Sequence, residues 1–252
     1  MIIPKIQIFI LLFTLTGISK TGLAEPFEID FPGNVELFYY EKERTPFHSE
    51  PLFRVRVADK IIYVIPGVTR PSVHSAFLLE HTTIYAGEDV FDLGTGSGVQ
   101  GIFAADQARR VISTDISEKS VENARLNVKL HGVEDIVNVR QGDMFEPVKG
   151  DEKFDVILFN VDAPHNKETQ GLWKLHERFF KDVKTYLKPH GRIYYQSSII
   201  DNIPRIQEMV VKNELRIMKI NMVAAVKQHR EPFVFLIQRK EADKDVSDSQ
   251  TK

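Results

Sequence analysis

The chain has 252 residues, 42% of them apolar, which suits one large domain, or one domain with an extension, around a full hydrophobic core. Its formal net charge of −2 argues against a general polyanion-binding surface while leaving room for a local basic groove. The absence of cysteine excludes a disulfide framework, a zinc–thiolate site and a cysteine nucleophile; no His/Asp/Glu group has metal-ligand spacing, so no metal is expected.

Residues 1–24 have the build of a secretory signal peptide: Lys5 near the start, an almost wholly apolar run over 6–15, and Gly22-Leu23-Ala24 before Glu25-Pro26. Cleavage after Ala24 would give an exported protein, periplasmic or secreted; a misassigned start codon would leave the chain in the cytoplasm. The apolar run is too short to span a bilayer comfortably, so no stable membrane span is expected in the mature chain.

Residues 25–86 read as a β-rich extension with a lead-in helix. Pro32-Gly33 signals a turn between short extended pieces. Residues 53–57 alternate in polarity, Asp59-Lys60 suits a turn, and 61–65 supply a second strand, so a β-hairpin is expected. After Pro66-Gly67-Val68-Thr69-Arg70-Pro71, a helix is expected from Ser72 to Thr82, with the Ser72 hydroxyl capping its first N–H groups. Thr69, Arg70 and His74 are either a lip over a ligand or parts of a solvated turn.

Residues 87–240 alternate strands with helices. The strands fall at 89–93, 111–115, 136–139, 154–159 and 192–198, with a final pair at 216–226 and 232–238. The helices fall at 99–109, 118–130, 170–187 and 203–213. In the third of these, Leu172, Leu175, Phe179, Val183 and Tyr186 form the expected buried stripe, with Trp173 off it, either lining a pocket or packing at the domain edge. Asn123 and Asn127 lie four apart on one helix face and either meet a ligand or tie the helix to neighbouring loops. The polar tail, 241–252, is expected to be disordered. This pattern predicts an α/β fold whose ligands sit at the carboxyl edge of a mostly parallel sheet.

The run Asp92-Leu93-Gly94-Thr95-Gly96-Ser97-Gly98 joins the first of these strands to its helix, and Asp115 ends the next strand about 20 residues further on. Glycines let the backbone approach a ligand, the helix start offers unpaired N–H groups, and an acid so placed can take both hydroxyls of a ribose. A dinucleotide frame, Gly96 to Gly101, begins too late after Leu93. Instead the run resembles the first motif of class I S-adenosylmethionine-dependent methyltransferases. The resemblance continues through Asn123 to Asn127, Gly142-Asp143-Met144-Phe145 and the strand ending in Asn160, and covers about residues 87–197.

This resemblance implies a Rossmann-like, doubly wound, mostly parallel seven-stranded sheet with an antiparallel last strand, and S-adenosyl-L-methionine as cofactor. It implies that Gly94, Thr95, Gly96 and Gly98 cradle the methionine end and that Asp92 contacts the amino group directly or through water. It gives Asp115 and Ile116 the ribose side, Asp143 and Met144 the adenine. Asn160 and Asp162 are the residues expected to face the acceptor, with Asp162 and His165 as candidate bases. The hairpin and the Pro-Gly-Val turn are distantly similar to the glutamine methyltransferases acting on release factors. Many relatives that methylate planar nitrogens carry two prolines and an aromatic after the Asn. Here Val161, Asp162 and Ala163 stand in those places, so amide or adenine methylation is not implied.

The expected acceptor is a protein side chain or a small molecule. Basic residues are scattered without the aromatic interleaving of a nucleic-acid platform, so nucleic acid is not the expected partner. The sequence assigns no oligomeric state. Two rivals remain at this point: an exported binding protein that keeps the fold without turnover, and a nicotinamide-dependent oxidoreductase using the Gly96–Gly101 frame. Export itself raises a question of supply, since S-adenosylmethionine is made in the cytoplasm.

Overall fold

A computed structural model of the chain describes residues 28–30, 36–222 and 231–240. The expected leader, the polar tail and most of the link between the last two strands lie outside the described residues. Seven strands, β5 (Asp89–Leu93), β6 (Arg110–Asp115), β7 (Val137–Gln141), β8 (Phe154–Phe159), β9 (Leu187–Ser197), β10 (Leu215–Met222) and β11 (Phe233–Arg239), build the sheet that the alternating pattern predicts. The short β1 (Glu28–Asp30) adds an eighth strand at the edge, in the order β1-β10-β11-β9-β8-β5-β6-β7. β11 runs antiparallel to both its neighbours, and the remaining pairs are parallel. From β5 the chain winds outward through β6 to β7, then returns to β8 on the other side. That reversal opens a crevice at the carboxyl ends of β5 and β8, where ligands of open α/β sheets bind.

Both faces of the sheet are covered, which is why its central strands are apolar throughout: every residue of β5 is buried. One face packs under α4 (Trp173–Tyr186) and α5 (Ile203–Lys212), through an aromatic core of Phe91, Phe159, Phe179, Phe180, Tyr195 and Phe235. The other packs under α1 (Val73–His81), α2 (Val99–Ala104) and α3 (Glu118–Leu130). Ser72 caps α1 as its sequence predicts, accepting from His74 N at 3.3 Å.

The N-terminal extension is a three-stranded antiparallel sheet, β2 (Leu37–Thr45), β3 (His48–Val57) and β4 (Lys60–Val64). The expected hairpin is β3–β4, and β2 joins it as a third strand. Val55, Val57, Ile62 and Val64 are fully buried in one core with Phe77, Leu78 and Val156, so the extension packs continuously onto the domain. Each such side chain contributes about 2 kcal/mol on burial. Cross-strand register places Phe38 opposite Arg56 and Tyr40 opposite Arg54. The guanidinium carbons lie 4.0 Å and 4.2 Å from the two ring centres. The interleaving of arginine with aromatics that the linear sequence lacks is thus created by strand pairing.

Three boundaries differ from expectation, each for a tertiary reason. The helix expected over 99–109 ends at Ala104, because Arg109 N donates to Glu88 O (2.8 Å) and Gly87 N to Gln107 O (3.2 Å), tying the following segment to the entry of β5. The helix expected over 170–187 starts as a 3-10 turn, Glu168–Leu172, and its buried face is Trp173, His176, Phe179, Phe180 and Val183. Trp173 therefore belongs to the core, under the guanidinium of Arg205 at 4.3 Å. Pairing of β9 starts at Leu187, opposite Phe154, and residues 188–191 form an irregularity before Arg192 pairs with Val156.

Candidate active site

An open cleft of about 290 Å³ lies at the reversal point, walled by the loop after β5, the ends of β6 and β8, the turn after β7 and the start of α1. The β5 loop is shaped from both sides. Gly94 N and Thr95 N both donate to Thr114 O at 2.9 Å, turning the chain sharply out of the strand. Gly94 has φ +73°, and a Cβ there would lie 2.8 Å from Val161 Cγ2, so the residue after Asn160 packs directly on this glycine. At Gly96, φ is +54° and a Cβ would meet nothing within 4 Å: the backbone is bare toward the cleft it lines. Gly98 does not line the cleft; its Cβ would press on Ala124 Cα at 3.1 Å, so its absence lets α2 approach α3.

Asp115 is fixed before any ligand arrives. Gly96 N donates to its Oδ2 (2.9 Å) and Ser117 N to its Oδ1 (2.9 Å), leaving further lone pairs of the carboxylate for donors in the cleft. Ile116 beside it is 68% exposed and lines the cleft. Across from them, Asp143 accepts from Arg178 Nη2 at 2.8 Å, and buried Met144 adopts φ +53°. Asn160 and Asp162 complete the lining on the β8 side.

Asp92 has a different place. It is 2% exposed, does not line the cleft, and accepts from Thr95 Oγ1 (2.6 Å) and Ser113 Oγ (3.2 Å). Burial pushes its carboxyl up to about 6, against the opposing pull of those two hydroxyls. The expected direct contact with a ligand amino group does not fit this placement. Asp92 acts on the loop from beneath, through Thr95.

At the β8 end of the cleft the order is set by residues that the sequence reading did not single out. Gln100 Nε2 donates to Ser75 O at 3.0 Å, and Asn160 Nδ2 to Ser75 Oγ at 3.3 Å, joining α1, α2 and the end of β8. His176 is fully buried, with Nε2 3.0 Å from Asp162 O and Nδ1 2.5 Å from Tyr195 Oη. A carbonyl only accepts, so Nε2 carries the proton and Nδ1 accepts from the tyrosine hydroxyl. Burial lowers the His176 pKa, which keeps this neutral tautomer. A core histidine thereby anchors the backbone of Asp162. Only its place on the buried face of α4 could have signalled it.

His165, the other candidate base, is exposed, bonded locally to Ala163 O at 3.1 Å, and outside the cleft. Thr69 and Arg70 line the cleft, whereas His74 does not; burial lowers its pKa, opposed by the carboxylates of Asp162 and Glu231. Asn123 and Asn127 take the tying role: both are fully buried and bond the backbone of Tyr63 and Ile65, and Asn127 also reaches Ser97 O at 2.8 Å. Gly101, third glycine of the dinucleotide frame, lies within α2, where a Cβ would meet Ser113 Oγ at 2.4 Å. It serves helix–strand packing and not a phosphate.

Comparison with known proteins agrees with this geometry. The family model described as methyltransferase small domain matches residues 69–221. The ribosomal protein L11 methyltransferase of Caldicellulosiruptor bescii is 37% identical over 136 residues, 53% of this chain and 40% of that protein. The same-named protein of Alkaliphilus oremlandii is 30% identical over 168 residues, 64% of this chain and 50% of that one. The chain thus spans half or less of the length of these relatives. Among solved structures, ribosomal protein L11 methylase from Lactobacillus delbrueckii subsp. bulgaricus superposes with a TM-score of 0.58 at 24% identity, covering 73% of this chain and 88% of that one. The M. jannaschii tRNA m1G37 methyltransferase superposes with a TM-score of 0.62 at 15% identity, covering 77% of this chain and 59% of the other. At these identities the two structures speak for the fold. From the cleft at the reversal point and the matched residues together, the chain belongs to the methyltransferase small domain family.

Proposed function

We propose that the chain transfers a methyl group from S-adenosylmethionine to a side chain of a protein acceptor. The observation that carries the cofactor reading is the preset Asp115 carboxylate, facing a cleft beside a glycine backbone with no side chain in the way. The residues present suit the cofactor: a carboxylate for a diol, Asp143 for an exocyclic amine, and Ile116, Met144 and Leu175 as apolar surface for a flat ring. When bound, the cofactor supplies a methyl group already activated on a sulfonium.

The chain's own task is then alignment and, for a protonated acceptor, removal of a proton. Asn160, held by Ser75, keeps its amide oxygen as an acceptor for an N–H, and Asp162 brings a carboxylate to the same end of the cleft. His176 and Tyr195 fix the backbone that carries Asp162. A protein acceptor is favoured by the relatives, whose names assign them ribosomal protein L11. A second reading, an RNA acceptor, is favoured by the arginine–aromatic pairs on β2 and β3, since exposed rings and guanidinium planes stack on bases.

Calorimetric titration with S-adenosylmethionine, its demethylated product and NAD tests the cofactor. We expect the first two to bind and Asp115→Ala to weaken them about 100-fold, from the loss of two charge-assisted hydrogen bonds. Binding of NAD alone would overturn the reading. Transfer of labelled methyl in cell extract to protein, or to RNA, separates the two acceptors.

A further inference from the structure

The two faces of the N-terminal sheet differ. Val55, Val57, Ile62 and Val64 turn inward and are fully buried against the domain. The residues that alternate with them turn outward, and strand register sorts them into two rows: Phe38, Arg56 and Ile61, then Tyr40, Arg54 and Tyr63. Each row carries a guanidinium over a ring, Arg56 over Phe38 at 4.0 Å and Arg54 over Tyr40 at 4.2 Å from the ring centre. Phe47 lies edge-on to Tyr63, ring centres 5.0 Å apart, and extends the second row. Phe38 and Tyr40 are 42% and 37% exposed, and the side chains of Arg54 and Arg56 33% and 35%, so both rows are within reach of a partner. None of these four residues lines the cleft, yet the face adjoins it. Tyr39, on the same strand, donates its hydroxyl to Pro71 O at 2.9 Å, and Pro71 belongs to the cleft wall.

Rings and arginines together suit protein and nucleic acid alike, and the geometry separates the two. A protein hot spot needs an apolar anchor that is free to enter a pocket. Here each ring already has a guanidinium over it, so the face offers flat cations with N–H groups at their edges. The rows stand two residues apart along the strands, about 7 Å. A base stacks on a guanidinium plane, and the phosphate beside it accepts from the edge. The neighbouring acids do not close the site. Glu43 is 3.3 Å from Arg54 and Glu36 3.9 Å from Arg56, and such solvent-exposed pairs are weak enough for a phosphate to displace. A duplex hides its base faces, and unpaired loops and ends are the ordinary state of RNA. We infer that the outer face of the N-terminal sheet is a docking surface for single-stranded RNA, with a base on each of the rows Phe38–Arg56 and Tyr40–Arg54. This goes beyond the methyltransferase reading and does not depend on it. RNA held here serves either as the acceptor or as the anchor that brings the enzyme beside a protein acceptor.

The test is fluorescence anisotropy with a labelled, unstructured RNA oligomer, its duplex with the complementary strand, and DNA of the same sequence, each titrated with the full chain across a salt series. The single-stranded RNA binds most tightly. Phe38→Ala and Tyr40→Ala each weaken it about 10-fold and leave the slope of log affinity against log salt as in the wild type, because stacking neutralises no phosphate. Arg54→Met and Arg56→Met weaken it as well, and each flattens that slope by about 0.7. Glu43→Gln releases Arg54 and strengthens binding, a gain that misfolding does not produce. Tyr85→Ala, which removes an exposed ring under Arg192 outside this sheet, leaves binding unchanged. Duplex or DNA bound as tightly as the single-stranded RNA, or ring variants that bind like the wild type, overturns the inference. So does a wild type that takes no RNA while Phe38→Ala and Tyr40→Ala lose methyl transfer to protein in cell extract, since the face then docks protein. None of the anisotropy readouts involves the cofactor, so their failure leaves the methyltransferase reading standing.

Discussion

Asp92 carries an ionisable group where the sheet leaves least room for charge. Its carboxyl, at 3.8 in water, is pushed up to about 6 by burial, and the hydroxyls of Thr95 and Ser113 offset only part of that. A carboxyl with a higher pKa in the folded than in the unfolded chain binds its proton more tightly when folded. Stability therefore falls as pH rises from about 3.8 through about 6, then levels; the full cost is about 3 kcal/mol. Urea unfolding at pH 4.5 and pH 7.5 reads about 2 kcal/mol of this, the part that falls above pH 4.5, and Asp92→Asn should remove this part of the pH dependence. An unaltered difference in the variant would mean that Asp92 is not its source. The sequence marks Asp92 as part of the motif, but not that it sits under the loop: the alternation of β5 turns it inward, and full burial of that strand then closes it off from the cleft.

At the scale of elements, α3 couples the extension to the glycine loop. Asn127 accepts from Tyr63 N (2.9 Å) and donates to Tyr63 O (2.7 Å) and Ser97 O (2.8 Å) while fully buried, so one side chain serves the edge of β4 and the loop together. Asn127→Ala takes this partner from Tyr63 N and Ser97 O, while Tyr63 O keeps Asn123 Nδ2 at 2.8 Å, and should cost about 2–4 kcal/mol in urea unfolding. It should also weaken S-adenosylmethionine binding, because Ser97 loses its tether; stability loss with full affinity would separate the two roles. The four-residue spacing of Asn123 and Asn127 is legible in the chain, since it follows from helix geometry. Their partners are not, because a strand about 60 residues earlier supplies them. The shortened α2 and the displaced stripe of α4 have the same origin. Local periodicity cannot anticipate the bond from Arg109 N to Glu88 O, or that Trp173 and His176 face the sheet.

For the molecule as a whole, the two edges of the sheet do different work. The carboxyl edge holds the cleft, and the opposite edge is tied by ion pairs. Glu152 accepts from Arg140 (2.7 Å) and Arg110 (2.9 Å), and Asp89 from Arg109 (2.6 Å) and Lys188 (3.1 Å). Hydrogen bonds from Arg140 hold the Glu152 carboxyl down to about 2 from 4.5. A depressed acid stabilises the fold above its unfolded value and loses that contribution as pH falls. Glu152→Gln should cost about 2 kcal/mol at pH 7, and the gap to wild type should close as pH drops from 4.5 through about 2, read by thermal unfolding across pH.

What the sequence determined by itself is the chemistry that depends on neighbours along the chain. The strand–glycine–helix unit, Asp115 at the end of the next strand, the ordered motifs to Asn160 and the alternation that makes a doubly wound sheet are all set by local steric and periodic rules. What only the tertiary structure decided is which of those residues share a space. Asp92 and Gly98 sit behind the cleft while Arg70 sits in it, and His176 reaches Asp162 from the core. Arginines of one strand lie on the aromatic rings of another. Each of these contacts joins residues far apart in the chain, and its geometry is fixed by strand register and by packing on both faces of the sheet, neither of which is encoded in any one segment.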